Sequence, residues 1–201
     1  MMFSKYDVYT TVQSLYCYPD SDVLKNKLNI RNREELKQAE EEITALKQYM
    51  LMESPIKGRF TKTQLMNIHR FLFEDIYPFA GLIRREQISK GDTMFYPPHL
   101  IVQELDKVFA KLHSDKMLQE TDRKRQIEHL SYIMSELNII HPFREGNGRS
   151  IRELIRCMAL RYGFSLDWSR VDRDTMLDAA VKSVVDSMGF CDVIIRCVVE
   201  G

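Results

Sequence analysis

The sequence predicts an all-α chain interrupted by one β-hairpin, and three observations predict it. Apolar residues recur at three- and four-residue spacing through most of the 201 residues. That period lapses only between Leu82 and Tyr96, where Lys90-Gly91-Asp92 supplies a turn between two short runs that read as extended. Start and stop residues, Asn32, Thr61 and Asp172 on one side and Pro78, Pro142, Gly163 and Gly189 on the other, fall at the ends of the periodic segments. The length is that of one domain with an N-terminal extension, long enough to bury a core.

In chain order, Met1 to Ile30 is rich in tyrosine and turn residues and reads as an ordered arm, residues 1–30, leading into a single unit over 31–201. Asn32 with Glu35 forms a capping box, and Leu36, Ala39, Ile43, Leu46 and Met50 then mark the inward stripe of a helix ending before Ser54-Pro55. Its acidic run Glu40, Glu41, Glu42 reads as a solvated face. Thr61 opens a second helix with Leu65, Ile68, Leu72, Phe73 and Ile76 inward, closed by Pro78, and His69 beside that stripe reads as a core histidine. The hairpin follows, Arg84 to Ser89 against Thr93 to Tyr96, and its outer edge is a template onto which a partner strand can add. Beyond Pro97-Pro98, the residues Leu100, Ile101, Leu105, Val108, Phe109 and Leu112 mark a third helix.

Residues 126–140 carry Ile127, Leu130, Met134 and Leu137 on one face, and His141 continues the stripe. Pro142 disfavours helical geometry at His141 and predicts an extended or turn conformation there. Periodicity resumes from Gly148 with Ile151, Leu154, Ile155, Met158 and Tyr162, until Gly163 stops the helix. Asp172 caps a further helix with Met176, Ala180, Val181, Val184 and Met188 inward; after Gly189, residues 193–199 read as a short terminal helix. The cysteines Cys17, Cys157, Cys191 and Cys197 lack the spacing of a metal site and read as reduced structural thiols.

Acidic and basic residues balance at 29 each, so charge gives no reason to expect binding to nucleic acid or to an anionic membrane. No apolar run is long enough to span a bilayer, and the start shows no basic segment followed by an apolar one, which predicts a cytoplasmic protein or one exported by a route the sequence does not reveal.

The chemistry concentrates in His-Pro-Phe-Arg-Glu-Gly-Asn-Gly-Arg-Ser-Ile-Arg, His141 to Arg152. Arg149 and Arg152 fall in the first turn of a helix, the positive end of its dipole, where cations are placed sensibly only if an anion sits with them. The amides of Gly146-Asn147-Gly148 can converge on an oxyanion, so glycines, helix end and arginines together describe a polyphosphate cradle. Glu145 beside phosphate calls for an intervening cation, and one carboxylate with phosphate oxygens and waters is a common way to hold magnesium. His141 is placed to take a proton from a hydroxyl attacking a phosphate. These residues read as nucleotidyl or phosphoryl transfer on a metal–nucleotide complex. Singly, each has a plain structural reading; their ordered combination carries the functional one.

The run resembles the signature of the Fic domain, His-x-Phe-x-(Asp/Glu)-Gly-Asn-Gly-Arg-x-x-Arg, with His141, Phe143, Glu145, Gly146, Asn147, Gly148, Arg149 and Arg152 in place. The likeness extends to Gly58–Arg84, where Phe79 stands in a position often held by tryptophan, and covers roughly residues 20 to 190. The resemblance implies a helical Fic fold with a hairpin flap beside the active-site loop, the arm packing beside the nucleotide pocket, and the activity of a protein adenylyltransferase. ATP and Mg²⁺ would bind, and a Tyr, Thr or Ser hydroxyl of a target protein, or of this chain at Tyr6 or Tyr9, would take AMP. It implies His141 as general base, Glu145 as magnesium ligand, Gly146, Asn147 and Gly148 on the phosphates, Arg149 on the β- and Arg152 on the γ-phosphate, and Phe143 as the loop's core anchor. Ile88, Ser89, Lys90 and Gly91 would be the flap that docks the target. Other members move UMP, phosphocholine or phosphate, or bind nucleotide without turnover; Gly148 departs from the phosphate-transferring branch, which has lysine there. Many members carry an inhibitory (Ser/Thr)-x-x-x-Glu-(Gly/Asn) helix. No glutamate here has that context, which implies either a small antitoxin-like partner supplying a glutamate to Arg152 or a divergent inhibitory segment within the chain.

Overall fold

A computed structural model describes residues 14–91 and 93–199. Seven helices follow one another among these residues: α1 Arg33–Glu53, α2 Lys62–Phe73, α3 Ile101–Ser114, α4 Arg123–Ile140, α5 Asn147–Tyr162, α6 Arg173–Lys182 and α7 Cys191–Cys197. The hairpin pairs β1, Ser89–Lys90, antiparallel with β2, Thr93–Met94, in the register Ser89 to Met94 and Lys90 to Thr93. No helix among the described residues is long and apolar enough to cross a membrane.

Helix starts follow local chemistry. The side chains of Asn32, Thr61, Asp122 and Asp172 each accept the amide three residues on, at Glu35, Gln64, Arg125 and Thr175. Helices α4 and α5 form the centre, packed on each other, with α2 against α5 and with α3 and α7 against α4. Leu130, Ile133 and Leu137 of α4 and Leu154, Ile155 and Met158 of α5 are fully buried there, against Ile68 and Leu72 of α2. This centre brackets the connection between α4 and α5, residues 141–146.

The structure departs from the expectations in four places. On α1 the inward row is Leu36, Glu40, Thr44, Lys47 and Leu51, while Leu46 and Met50 are exposed. The helix is rotated because its inner face meets polar groups of α2 and α5 as well as the apolar core, so the Glu40 carboxylate is not solvated but ion-paired. Helix α2 ends at Phe73, ahead of Pro78, because the Phe73 carbonyl accepts both Ile76 and Tyr77 amides and tightens the chain into a turn. Helix α6 stops at Lys182 and leaves Val181 and Met188 exposed, since residues 183–190 fold back on α4. There Asn138 donates to the Ala180 carbonyl and Ser183 hydroxyl, and Ser131 and Ser135 donate to the Ser187 carbonyl. The terminal helix stops at Cys197, because β4, Val198–Val199, pairs antiparallel with β3, Ser165–Leu166, giving a second two-stranded sheet beside the expected one.

Two tethers place the flap. Arg84, 1% exposed, donates to the carbonyls of Glu86 and Tyr96, on either side of the hairpin, and to those of Ile140 and His141 at the end of α4. A guanidinium suits this place because its donors lie in a fixed fork and the last carbonyls of a helix carry negative partial charge. The described part of the arm bonds to the same region: the Ser14 hydroxyl and Leu15 amide donate to the Glu86 carboxylate, and the Arg85 amide donates to the Tyr16 hydroxyl. Tyr16 also packs edge-on against Phe79 at 5.0 Å. Tyr6 and Tyr9 lie outside the described residues.

Arg84→Met keeps the volume and removes every donor. It is expected to lower unfolding stability by about 3 kcal/mol, the scale of losing charged hydrogen bonds, and to raise hydrogen exchange at the amides of Phe95 and Tyr96. A urea midpoint within error of wild type would remove Arg84 as the flap's anchor.

Candidate active site

The site is built from the end of α4, the loop 142–146 and the start of α5. His141 closes α4 in the left-handed region, φ 49° and ψ 63°, with its amide on the Leu137 carbonyl at 3.0 Å. The right-handed region is avoided as Pro142 requires, but the residue is a left-handed C-cap and not extended. Its Nδ1 lies 3.1 Å from the Asn138 carbonyl. A carbonyl can only accept, so Nδ1 carries the hydrogen and the lone pair of the neutral ring sits on Nε2. Phe95 of the flap stacks on the imidazole at 3.8 Å and 13°, fixing its plane.

The loop is closed by Asn147. Its Oδ1 accepts the Phe143 amide and its Nδ2 donates to the Phe143 carbonyl, both at 2.8 Å. The buried side chain is therefore committed to the loop, and only the backbone amide of Asn147 is left for an anion. Phe143, with no exposed surface, stacks on His69 of α2 at 3.8 Å. His69 accepts the Gly81 amide at Nδ1, so Nε2 bears the hydrogen and donates to the Glu145 carbonyl at 2.9 Å. It is a core histidine, and it pins the catalytic loop to α2. Burial, chiefly, and the positive Arg149 lower its pKa to about 4, against the Glu145 carbonyl, which raises it.

Gly146 is the N-cap of α5 at φ 78°, and a Cβ there would stand 2.2 Å from the ring of Phe73. Only glycine satisfies both the backbone angle and that contact. No side chain caps the helix, and the first helical amide to find its acceptor is that of Ser150, on the Gly146 carbonyl. The amides of Asn147, Gly148 and Arg149 thus have no partner within the helix and stand at its positive end. A Cβ on Gly148 would lie 3.2 Å from Nη1 of Arg152, which places that guanidinium beside the first turn.

The two arginines differ. Arg149 Nη2 binds Oε1 of Glu40 at 2.5 Å, its Nη1 donates to the Thr44 hydroxyl at 3.1 Å, Glu145 stands 3.6 Å away, and the Phe73 ring lies 4.7 Å beneath. Burial alone would depress its pKa, but Glu40 and then Glu145 outweigh burial and hold it above the usual value. No carboxylate pairs with Arg152 among the described residues, and the nearby Cys197 thiol offsets its charge only weakly. Burial first, and repulsion from Arg149 second, lower its pKa to about 10. A half-buried cation without a counter-ion beside unpartnered helix amides is a place where an anion is favoured. Glu145 is half-buried, with Oε1 accepting the Gly146 amide at 2.8 Å.

On the flap, Ile88 is buried and its carbonyl accepts the Phe95 amide, so it anchors the strand. Ser89 and Lys90 are half-buried, and Gly91 is exposed at the turn. Behind them Arg144 and Glu86 form an ion pair at 2.8 Å, nearly closed to solvent. Sequence reasoning missed Glu40, Thr44, Phe95 and Arg84 as parts of the site. For Glu40 a signal existed: Leu36, Glu40, Thr44, Lys47 and Leu51 repeat at helical spacing as regularly as the apolar row does.

Residues 59–159 match the Fic/DOC family, across the flap, the loop and both arginines. The chain belongs to the Fic/DOC family. It is 32% identical over 181 residues to protein adenylyltransferase VbhT of Bartonella schoenbuchensis, covering 90% of this chain but 38% of that protein. It is also 32% identical over 159 residues to the Escherichia coli protein named "Probable protein adenylyltransferase Fic", covering 79% and 78% of the two chains. Among solved structures, the N-terminal Fic domain of a VirB-translocated Bep effector protein from Bartonella quintana, with bound ADP, superposes with a TM-score of 0.85 at 25% identity, over 92% of this chain and 94% of that one. The helical architecture with its hairpin is the Fic fold.

The lowered His69 pKa carries a sign. The folded ring resists the proton that the unfolded ring accepts, so this contribution to stability is whole above the ordinary value of 6.5 and is lost as pH falls toward 4. The difference amounts to about 3 kcal/mol. Urea unfolding at pH 7 and pH 4.5 is expected to show a flatter pH dependence in His69→Asn than in wild type; equal slopes would assign the acid sensitivity to other groups.

Proposed function

We propose that this Fic domain, with residues 14–30 as an arm at the flap base, transfers AMP from ATP to a Tyr, Thr or Ser hydroxyl of a target protein. The observation that carries the reading is the gap between two helix ends. On one side is the uncapped start of α5 with Arg152 beside it; on the other is His141, with its Nε2 lone pair and its ring plane held by Phe95. The relatives named as adenylyltransferases, and the ADP held by the Bartonella quintana domain, support a nucleotide there.

In this mechanism the phosphates rest on the first-turn amides of α5, with Arg149 on the β-phosphate and Arg152 on the γ-phosphate. The flap sets an extended target segment alongside Ser89–Gly91 so that its hydroxyl faces His141. As the hydroxyl oxygen bonds to the α-phosphorus, His141 Nε2 takes its proton, and the bond from the α-phosphorus to the bridging oxygen breaks to release pyrophosphate. The amides and guanidinium groups stabilise the charge that develops on the phosphates without having to reorganise.

No group of three or more His, Cys, Asp or Glu side chains gathers among the described residues. The donor set on offer is the single Glu145 carboxylate, which fits Mg²⁺ held mainly by nucleotide phosphates and waters. Such a metal would supply charge neutralisation on the phosphates. Arg152, which pairs with no carboxylate among the described residues, also suits a carboxylate brought by a small antitoxin-like partner, which would occupy the γ-phosphate position. A cytoplasmic setting, where ATP and Mg²⁺ are abundant, belongs to the same reading.

Intact-mass spectrometry after incubation with ATP and Mg²⁺, alone and with cell lysate, tests this. Wild type is expected to add AMP; His141→Ala is expected to lose at least about 100-fold in rate, the usual scale for a positioned base. Arg152→Ala is expected to raise the KM for ATP about 10-fold or more, as for loss of a charged contact. Addition of phosphate instead of AMP would move the chain to a kinase-like reaction.

A further inference from the structure

The two motif arginines sit in unlike surroundings, and the difference comes from α1, far away in sequence. The Glu40 side chain is 12% exposed, and both of its oxygens are engaged. Oε1 binds Arg149 Nη2, while Oε2 accepts the hydroxyl of Tyr77, which burial and then Glu40 itself keep protonated. Thr44, one turn along, donates its own proton to the Glu40 carbonyl at 2.7 Å and so receives Arg149 Nη1 on its lone pair. With Phe73 beneath, the guanidinium has two nitrogens and one face fixed. Tyr77 in turn stacks on Phe79 at 4.8 Å, so the carboxylate is braced from the side opposite Arg149.

This arrangement is costly unless it serves something. A carboxylate at the positive, phosphate-binding end of α5 removes charge from the pocket and would weaken binding of any anion. A planar fork held at its outer nitrogens, however, presents its remaining donors in one orientation, and misplacement of a positioning group by about 1 Å can cost about 100-fold in rate. We propose that Glu40 is a positioning residue for Arg149, fixing the guanidinium at the angle that the leaving pyrophosphate requires and giving up some ground-state affinity for nucleotide to do so. The proposal rests on the adenylyl-transfer reading of the site. It makes a split prediction that a purely structural role would not: loss of the carboxylate slows transfer while nucleotide binding holds or tightens.

The test compares wild type with Glu40→Ala, Glu40→Gln and Tyr77→Phe. It reads AMP incorporation into the chain and lysate proteins against ATP concentration, ADP affinity by calorimetry, and melting temperature. Glu40→Ala is expected to lower the rate at saturating ATP by about 10- to 100-fold, with ADP affinity unchanged or up to about 5-fold tighter, on the scale of removing one like-for-like charge opposition. Glu40→Gln, which keeps an acceptor, is expected to recover part of the rate. Tyr77→Phe, which only unbraces the carboxylate, gives a smaller loss in the same direction and carries the test if Glu40→Ala does not fold. A rise in rate would make Glu40 a brake and overturn the proposal, as would ADP affinity falling in step with rate, or no change in any variant. Wild-type chain that binds ADP but transfers nothing would instead sink the adenylyl-transfer reading, and this proposal with it.

Discussion

Asn147 binds the backbone of Phe143 through both ends of its side-chain amide, and the arrangement of the site depends on that closure. It ties the first residue of α5 to the loop that leaves α4, so two helix ends of opposite dipole face one gap. His69 extends the closure into the core by stacking on Phe143 and holding the Glu145 carbonyl, and Phe73 fills the space that glycine leaves under the turn. A loop so held has no freedom to reorganise when charge develops on a bound phosphate, which is the condition under which fixed dipoles stabilise a transition state most.

The charges form a graded set. Among the described residues Arg152 pairs with no carboxylate, Arg149 is shared between Glu40 and Glu145, and Arg144, the least exposed of the three, is paired with Glu86. Positive charge is therefore least compensated at Arg152 and most compensated at Arg144. In the proposed reaction that gradient would favour a polyphosphate with its terminal phosphate toward Arg152.

The family was legible because the motif is contiguous: a histidine, a carboxylate, glycines and arginines between His141 and Arg152 need no folding information to be recognised. Roles inside that run were less so. Asn147 reads as a phosphate ligand because a polar side chain next to an anion site has no other evident partner, yet the backbone of Phe143, four residues earlier, engages both ends of its side chain. The helices α3, α4 and α5 were readable because their apolar stripes face an apolar core. On α1 the same rule failed, since hydropathy assigns Glu40 and Thr44 to solvent and Leu46 and Met50 to the interior, whereas the half-buried Arg149 reverses the choice. Residues 183–190 misled for a related reason: hydroxyl bonds from α4 to the Ser187 carbonyl outweigh helical continuation. The pairing of Val198–Val199 with Ser165–Leu166 joins segments too distant for local pattern to connect.

The four carbonyls gathered by Arg84 set how the flap can move. Two belong to the hairpin's stem and two to the end of α4, so prying the stem away would bare a buried guanidinium and leave helix-end carbonyls unmet. The hairpin's stem is thereby tied to the end of α4 on both of its sides. In the proposed reaction a docking peptide would meet a stem fixed to α4, so that the distance from its backbone to His141 would be set by Arg84 and not by the peptide.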